Sequence, residues 1–167
     1  EGPLEFLDPV MTSVSRSKEP DTIRLIGLPD MAKFEEWKCN VRDEVTAAAG
    51  GSTDAYLWIL QVEDSRISYE QLEDARQFKS IDAKIAAAVS RIQKGELAKV
   101  ITSKKKEAAR LLRRISGRQQ LRLVYDQYRL DAEDGQLFDI EDLMAIKFPG
   151  DDHLESFIIN WDTGLLA

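Results

Sequence analysis

The sequence predicts an all-α protein, folded as a compact multi-helix bundle with an extended N-terminal arm. Apolar residues recur at spacings of three and four along several stretches, which is the period of an amphipathic helix. Glycines such as Gly50, Gly95 and Gly117 lie between these stretches, where helices end. Only residues 23–28 resemble a strand, and a single strand cannot build a sheet.

Composition limits the classes of protein to consider. The chain has 167 residues, of which 43% are hydrophobic, so it is long enough to bury a core. Its formal charge of −7 argues against a protein that binds nucleic acid with its whole surface. The single cysteine, Cys39, excludes an internal disulfide and a multi-cysteine zinc site, and it fits a reducing compartment. Because we find neither an apolar run of membrane-spanning length nor a leader, we expect a cytoplasmic protein without a membrane partner.

Residues 1–30 are predicted to be a tag remnant followed by a flexible arm. The opening letters EGPLEF resemble a cleavage and cloning remnant. Pro9, Pro20 and Pro29 lie in a segment that has no helical period. Residues 23–28 are expected to form an extended strap that lies on the first helix.

The clearest amphipathic helix is predicted at residues 34–48, and Gly50 with Gly51 marks its end. One face is apolar and needs a partner, which we expect from the apolar stripes of later helices. The expected core anchors on this face are Phe34, Trp37, Val41 and Val45. The opposite face is charged, and its candidate subunit-interface residues are Glu36, Arg42 and Asp43.

Three helices are predicted in the next part of the chain. Residues 52–54 offer an N-cap for a short apolar helix at 55–62. A peripheral helix at 68–77 opens with a Ser-x-x-Gln capping box. A core helix follows at 80–92, capped by its first serine and anchored by Ile85.

The charge changes sign between residues 99 and 122. The basic residues of this run are Lys99, Lys104, Lys105, Lys106, Arg110, Arg113, Arg114, Arg118 and Arg122, against the single acid Glu107. One interpretation is a phosphate-binding patch that contacts RNA, and the other is a solvated helix face or a contact with acidic helices of a neighbouring subunit. The candidate contact residues are Lys104, Lys105, Lys106, Arg110, Arg113 and Arg114. The basic run is expected to lie on a helix whose inward-facing residues are Ala108, Leu111, Leu112 and Ile115.

Three more helices complete the prediction, at residues 118–130, at 135–147 and in the segment 149–167, where Pro149 and Gly150 separate the last two. Each carries an apolar stripe. Their expected core anchors are Leu121, Tyr125, Leu143, Phe157 and Trp161.

No catalytic constellation is found. The sequence has no P-loop, no Gly-x-Gly-x-x-Gly, no His-Glu-x-x-His and no nucleophile elbow, and its one histidine, His153, has no evident partners for a triad or a metal site. We therefore name no catalytic, metal or cofactor-binding residue and predict that the chain is not an enzyme.

A family resemblance emerges from the order of the motifs. These are FEEWKCNVRDEV at 34–45, AYLWILQVE at 55–63, IDAKIAAAVSRIQKGEL at 81–97, GRQQLRLVYDQYRL at 117–130 and DLMAIKFPGDDHLESFIINWD at 142–162. Together they resemble the Gag polypeptide of copia-type LTR retrotransposons. The positions that match the family pattern are Trp37, Leu121, Tyr125, Leu143, Phe157 and Trp161.

The resemblance implies a capsid protein. Residues 31–148 would form a helical lobe similar to a retroviral-type capsid N-terminal lobe, and 149–167 would be a linking helix or the first helix of a C-terminal lobe. The chain would assemble with itself into a shell around the element's RNA, as intracellular virus-like particles, with no cofactor and no small-molecule substrate. Two alternatives stay open: a domesticated Gag-derived adaptor or RNA-binding module that forms no shell, and a small helical enzyme.

Overall fold

The computed structural model describes the backbone of residues 18–145 and the side chains of residues 18–135. Its α-helices are α1 (Phe34–Ala48), α2 (Thr53–Leu60), α3 (Lys79–Ile92), α4 (Gly95–Arg110) and α5 (Gly117–Ala145). Short 3-10 turns occur at Met31–Lys33, Gln61–Glu63, Glu70–Glu73 and Arg76–Phe78. The described residues contain helices and turns but no strand, so the all-α class is confirmed for this part of the chain.

The chain divides into two compact units, Glu1–Asp126 and Gln127–Ala167. Helix α5 begins in the first unit and continues into the second. The predicted boundaries at residues 31, 148 and 149 stay predictions. The anchors Phe157 and Trp161 lie outside the described residues, and Leu143 lies on α5 where only the backbone is described.

Residues 23–28 form the expected strap, held by side chains instead of a sheet. The Trp37 indole N–H donates to the Ile26 carbonyl at 2.8 Å, and the Arg91 guanidinium donates to the Ile23 carbonyl at 2.9 Å. Ile23 itself is buried. These bonds satisfy carbonyls that a strand would otherwise pair with a neighbour, and they fix the strap on α1 and α3.

Helix α1 ends as its sequence predicts. Gly50 and Gly51 both have positive φ, at 73° and 78°. The Gly51 N–H donates to the Thr46 carbonyl at 2.9 Å and the Gly50 N–H to the Ala47 carbonyl at 3.0 Å, the paired bonds of a Schellman turn. The Ser52 hydroxyl then accepts from the Ala55 N–H at 3.3 Å and caps α2.

The apolar face of α1 packs against α5. The rings of Trp37 and Tyr125 meet edge to face with centroids 6.3 Å apart, and Phe34 meets Tyr125 in the same manner at 5.7 Å. Phe34 is half-buried. The other described anchors are buried: Trp37, Val41, Val45, Ile85, Leu121 and Tyr125. Helix α5 therefore provides a partner for the first helix.

Three local predictions were wrong. Residues 68–77 have the predicted capping box, in which the Ser68 N–H donates to Gln71 Oε1 at 2.8 Å and the Gln71 N–H to the Ser68 hydroxyl at 3.2 Å, but they form 3-10 turns in place of an α-helix. The reason is that Asp74 accepts from the Arg76 N–H at 2.8 Å and Arg76 adopts φ 52°, which ends helical geometry. Ser80 lies inside α3, which begins one residue earlier, so the serine is not a cap. The helices predicted at 118–130 and 135–147 are one continuous helix, since a lone glycine weakens a helix without having to break it.

Helices α3 and α5 meet at a buried polar junction. The Asp82 carboxylate accepts from the backbone N–H groups of Gly117 at 2.9 Å and Arg118 at 3.0 Å, and so caps the first turn of α5. Burial raises the pKa of the Asp82 carboxyl, and the two N–H donors oppose that rise. The backbones are close enough that a Cβ on Gly117 would overlap the Asp82 carbonyl oxygen and lie 2.9 Å from the Ala86 nitrogen.

A matched pair of glycine substitutions tests this junction. Gly117→Ala should lower the free energy of unfolding by about 1–3 kcal/mol or more, because overpacking forces α3 and α5 apart. Gly135 lies in the same helix with open space around it, so Gly135→Ala should raise the free energy by about 0.5–1 kcal/mol. Urea unfolding monitored by circular dichroism measures both. Similar effects of the two substitutions would show that the close approach at Gly117 is not needed.

Candidate interaction surface

The basic run predicted from the sequence contains two buried arginines. Arg118 is only 1% exposed. Its guanidinium donates to the Trp58 carbonyl at 3.0 Å, the Gln61 side chain at 2.7 Å and the Asp74 carbonyl at 2.6 Å, and it stacks 4.8 Å from the centre of the Trp58 ring. Burial lowers the pKa of Arg118, and the nearby charge of Asp82 opposes that change. Arg118 is thus part of the core and not of a phosphate-binding patch.

Arg122 lies one turn further along α5 and has the same role. It donates to the Val62 carbonyl at 2.8 Å and the Asp64 carbonyl at 3.0 Å. The carbonyls at the end of a helix have no partner within it, and cations there also interact favourably with the helix dipole. The two arginines therefore fasten α5 to the end of α2 and the turn after it. The exposed part of the basic run stops at Arg114.

Helix α4 ends earlier than its apolar pattern predicts. The Arg113 N–H donates to the Ala108 carbonyl at 2.9 Å and the Leu112 N–H to the Ala109 carbonyl at 3.0 Å, which closes a second Schellman turn. Leu111 is 66% exposed and Leu112 is 96% exposed, so the expectation that both face inward was wrong. Because the helix stops at Arg110, the 3.6-residue period no longer applies to them.

We call the six candidate contact residues together the basic surface. Three of them have partners within the chain and three do not take part in an ion pair among the described residues. Lys104 forms an ion pair with Glu107 at 3.7 Å, Lys105 donates to the Ser90 hydroxyl at 2.9 Å, and Arg113 donates to Glu73 at 2.6 Å. Lys106, Arg110 and Arg114 are exposed, and the ion pairs within the described part of the chain include none of these three. These three charges are available to an outside partner.

One of the three candidate interface residues on α1 is already bound within the chain. Arg42 donates through Nε and Nη2 to the two carboxylate oxygens of Glu63, each at 2.5 Å, and this ion pair raises the pKa of Arg42 further. A guanidinium bound in this bidentate way cannot serve a neighbouring subunit without breaking the pair. Glu36 and Asp43 are exposed, so they form what we call the acidic face of α1.

A groove between α3 and the end of α4 borders the basic surface. Its walls include Ala86, Ser90 and Lys105, and Arg114 lies at its edge. Gln120 also lines it, and this side chain is 2% exposed with an amide oxygen that has no hydrogen-bond partner. The groove thus combines cationic groups with one buried acceptor. Gln120 could not be identified from the sequence, since its burial depends on the packing of α3, the end of α4 and α5.

Among the described residues, no three His, Cys, Asp or Glu side chains converge as a metal site, and no helix is sufficiently long and apolar to span a bilayer. No protein-family model matches the chain, and the comparisons with curated proteins and with solved structures also find no match. The resemblance to Gag polypeptides therefore rests on the sequence motifs.

Removing single arginines tests the division of the basic run. Arg118→Ala should strongly lower the free energy of unfolding, because a buried acceptor such as the Trp58 carbonyl that loses its donor costs about 1–3 kcal/mol. Arg114→Ala removes a guanidinium from the exposed part of the basic run and should change the free energy of unfolding by less than about 0.5 kcal/mol. Urea unfolding measures both. A small effect of Arg118→Ala would contradict its structural role.

Proposed function

We propose that this chain is a structural protein of the Gag capsid type, which assembles with copies of itself into a shell around retroelement RNA. The ordered motifs and the helical architecture support this proposal. The observation that carries it is a match between two exposed surfaces of opposite charge, one on α4 and one on α1.

The two surfaces share one spacing. Lys99 and Lys106 lie seven residues apart on α4, and Glu36 and Asp43 lie seven residues apart on α1. Seven residues are about two helical turns, so each pair repeats over about 10 Å along its helix. Helices from neighbouring copies can therefore pair both charges at once. All four side chains are exposed, and Lys99 is only loosely paired with Glu96 at 3.4 Å.

Such contacts are individually weak. An exposed ion pair contributes about 0–1 kcal/mol, which cannot hold two copies together alone. A capsid repeats the same heterologous contact around a ring or shell, and repetition multiplies the effect without any strong single interface. Weak contacts of this kind predict a protein that assembles only at high concentration.

Charge reversal tests the proposed assembly. The parent protein should form rings, tubes or spheres at about 0.1 M NaCl and fewer of them at about 1 M, since the Debye length falls from about 10 Å to about 3 Å. Lys99→Glu with Lys106→Glu, or Glu36→Lys with Asp43→Lys, should reduce assembly. Sedimentation velocity and negative-stain microscopy measure it.

The matched control for the lysine pair is Arg24→Glu with Arg66→Glu, which changes the net charge equally at exposed positions elsewhere. This control should assemble like the parent. A parent protein that stays monomeric at every salt and protein concentration would remove the capsid proposal.

The alternative is a Gag-derived adaptor or RNA-binding module that forms no shell. The groove beside the basic surface favours it, because the cationic side chains of Lys105, Arg113 and Arg114 line the groove and can neutralise phosphates of an RNA backbone.

The salt dependence of RNA binding tests this alternative. For a single-stranded RNA, the slope of log K against log salt should be shallower by about 0.7 for each phosphate contact removed. Lys104→Ala with Lys105→Ala and Lys106→Ala should therefore flatten the slope by about 2 if all three contact phosphates. Fluorescence polarisation measures it, and an unchanged slope excludes these lysines from RNA binding.

A further inference from the structure

Leu112 has a backbone conformation and a side-chain exposure that are both unusual for a leucine. It occupies the position after the end of α4 with φ 56°, a left-handed conformation that L side chains disfavour and that glycine usually supplies. Helix α1 ends in the same Schellman turn and has Gly50 at the equivalent position. The leucine side chain is moreover 96% exposed. The fold therefore gains neither a relaxed backbone nor a buried side chain from this residue.

The surroundings of Leu112 combine apolar surface with positive charge. Residues 110–114 have the sequence RLLRR, and we call them the leucine tip. Leu111 beside Leu112 is also mostly exposed, and Arg110 and Arg114 are free to pair with a partner's acids. A surface complementary to this tip needs an exposed apolar side chain among carboxylates.

Residues 130–134 of α5 have that composition. Their sequence is LDAED, Leu130 is 54% exposed, and the three acids that follow are exposed as well. Other exposed apolar residues are less suitable. Tyr56 and Leu57 have Asp54 as the one acid within three residues along the chain, Met31 has Asp30 alone, and Ile26 has none, whereas Leu130 has both Asp131 and Glu133.

We propose that the leucine tip of one copy binds residues 130–134 of a second copy. This inference rests on the proposed self-assembly and names a contact that repeats within it. Leu111 and Leu112 would pack against Leu130, and Arg110 and Arg114 would pair with Asp131 and Asp134. The tip and its partner segment are different surfaces, so a heterologous contact between them can propagate from copy to copy.

Leu112→Gly separates folding from binding. Glycine relieves the left-handed backbone, so the melting temperature of the monomer should rise by about 2–4 °C. The same change removes an apolar anchor, so self-association should weaken by about tenfold or more. Thermal unfolding at low concentration and sedimentation velocity at high concentration measure the two effects. Unchanged self-association would overturn the inference.

Exchanging charges between two variants tests the partner segment. Arg110→Glu with Arg114→Glu, and separately Asp131→Arg with Asp134→Arg, should each abolish assembly because tip and segment then carry like charges. An equimolar mixture of the two variants should assemble again, since each tip then meets a segment of opposite charge. Failure of the mixture, or parent-like assembly of either variant alone, overturns the inference and leaves the capsid proposal intact.

The parent protein separates the remaining outcomes. A parent that never self-associates overturns the proposed function and this inference together. Binding of a monomeric parent to phosphatidylserine vesicles that is lost in Leu112→Gly would assign the tip to a membrane and also overturn the inference.

Discussion

The hydrogen bonds from the start of α5 to the Asp82 carboxylate are the constraint on which the rest of the first unit depends. Burial raises the pKa of the Asp82 carboxyl above its ordinary value of 3.8, so the free energy of unfolding falls as the pH rises through the raised pKa and the group ionises. The two N–H donors and the positive end of the α5 dipole stabilise the carboxylate and reduce that loss. Only glycine fits at residue 117, and with α5 placed there, Arg118 and Arg122 reach the carbonyls at the end of α2.

This buried network also decides which charges remain outside. A run that is uniformly basic in sequence becomes two arginines in the core and a surface that ends at Arg114. On α1, Arg42 is likewise bound to Glu63, which leaves Glu36 and Asp43. The fold thus leaves unpaired positive charge at the end of α4 and exposed acids on α1, which gives an acidic protein a local cationic surface.

Features with local causes were predictable from the sequence. The period of Trp37, Val41 and Val45, the glycines that end α1 and the serine that caps α2 all depend on neighbours within a few residues. The predictions that were wrong depend on residues far apart in the chain, or on turns without their usual sequence signal. The acceptors of Arg118 lie 44 to 60 residues away in the chain, which charge patterning cannot detect. The turn that exposes Leu112 lacks the glycine that normally marks it, and Gly135 suggests a break where the helix continues.

The composition of the leucine tip also limits which surfaces can meet in an assembly built on it. A contact that places one tip directly against another is unfavourable, because the arginines beside Leu111 and Leu112 would repel each other. The tip can associate favourably only with a different, acidic surface, so the contact has a direction. Repeated in one direction, this contact closes into a ring or continues as an array, whereas two copies that exchange tips reciprocally close as a two-fold dimer. The exposed leucine and the surrounding charge therefore both favour a contact between the tip of one copy and the acidic segment of another.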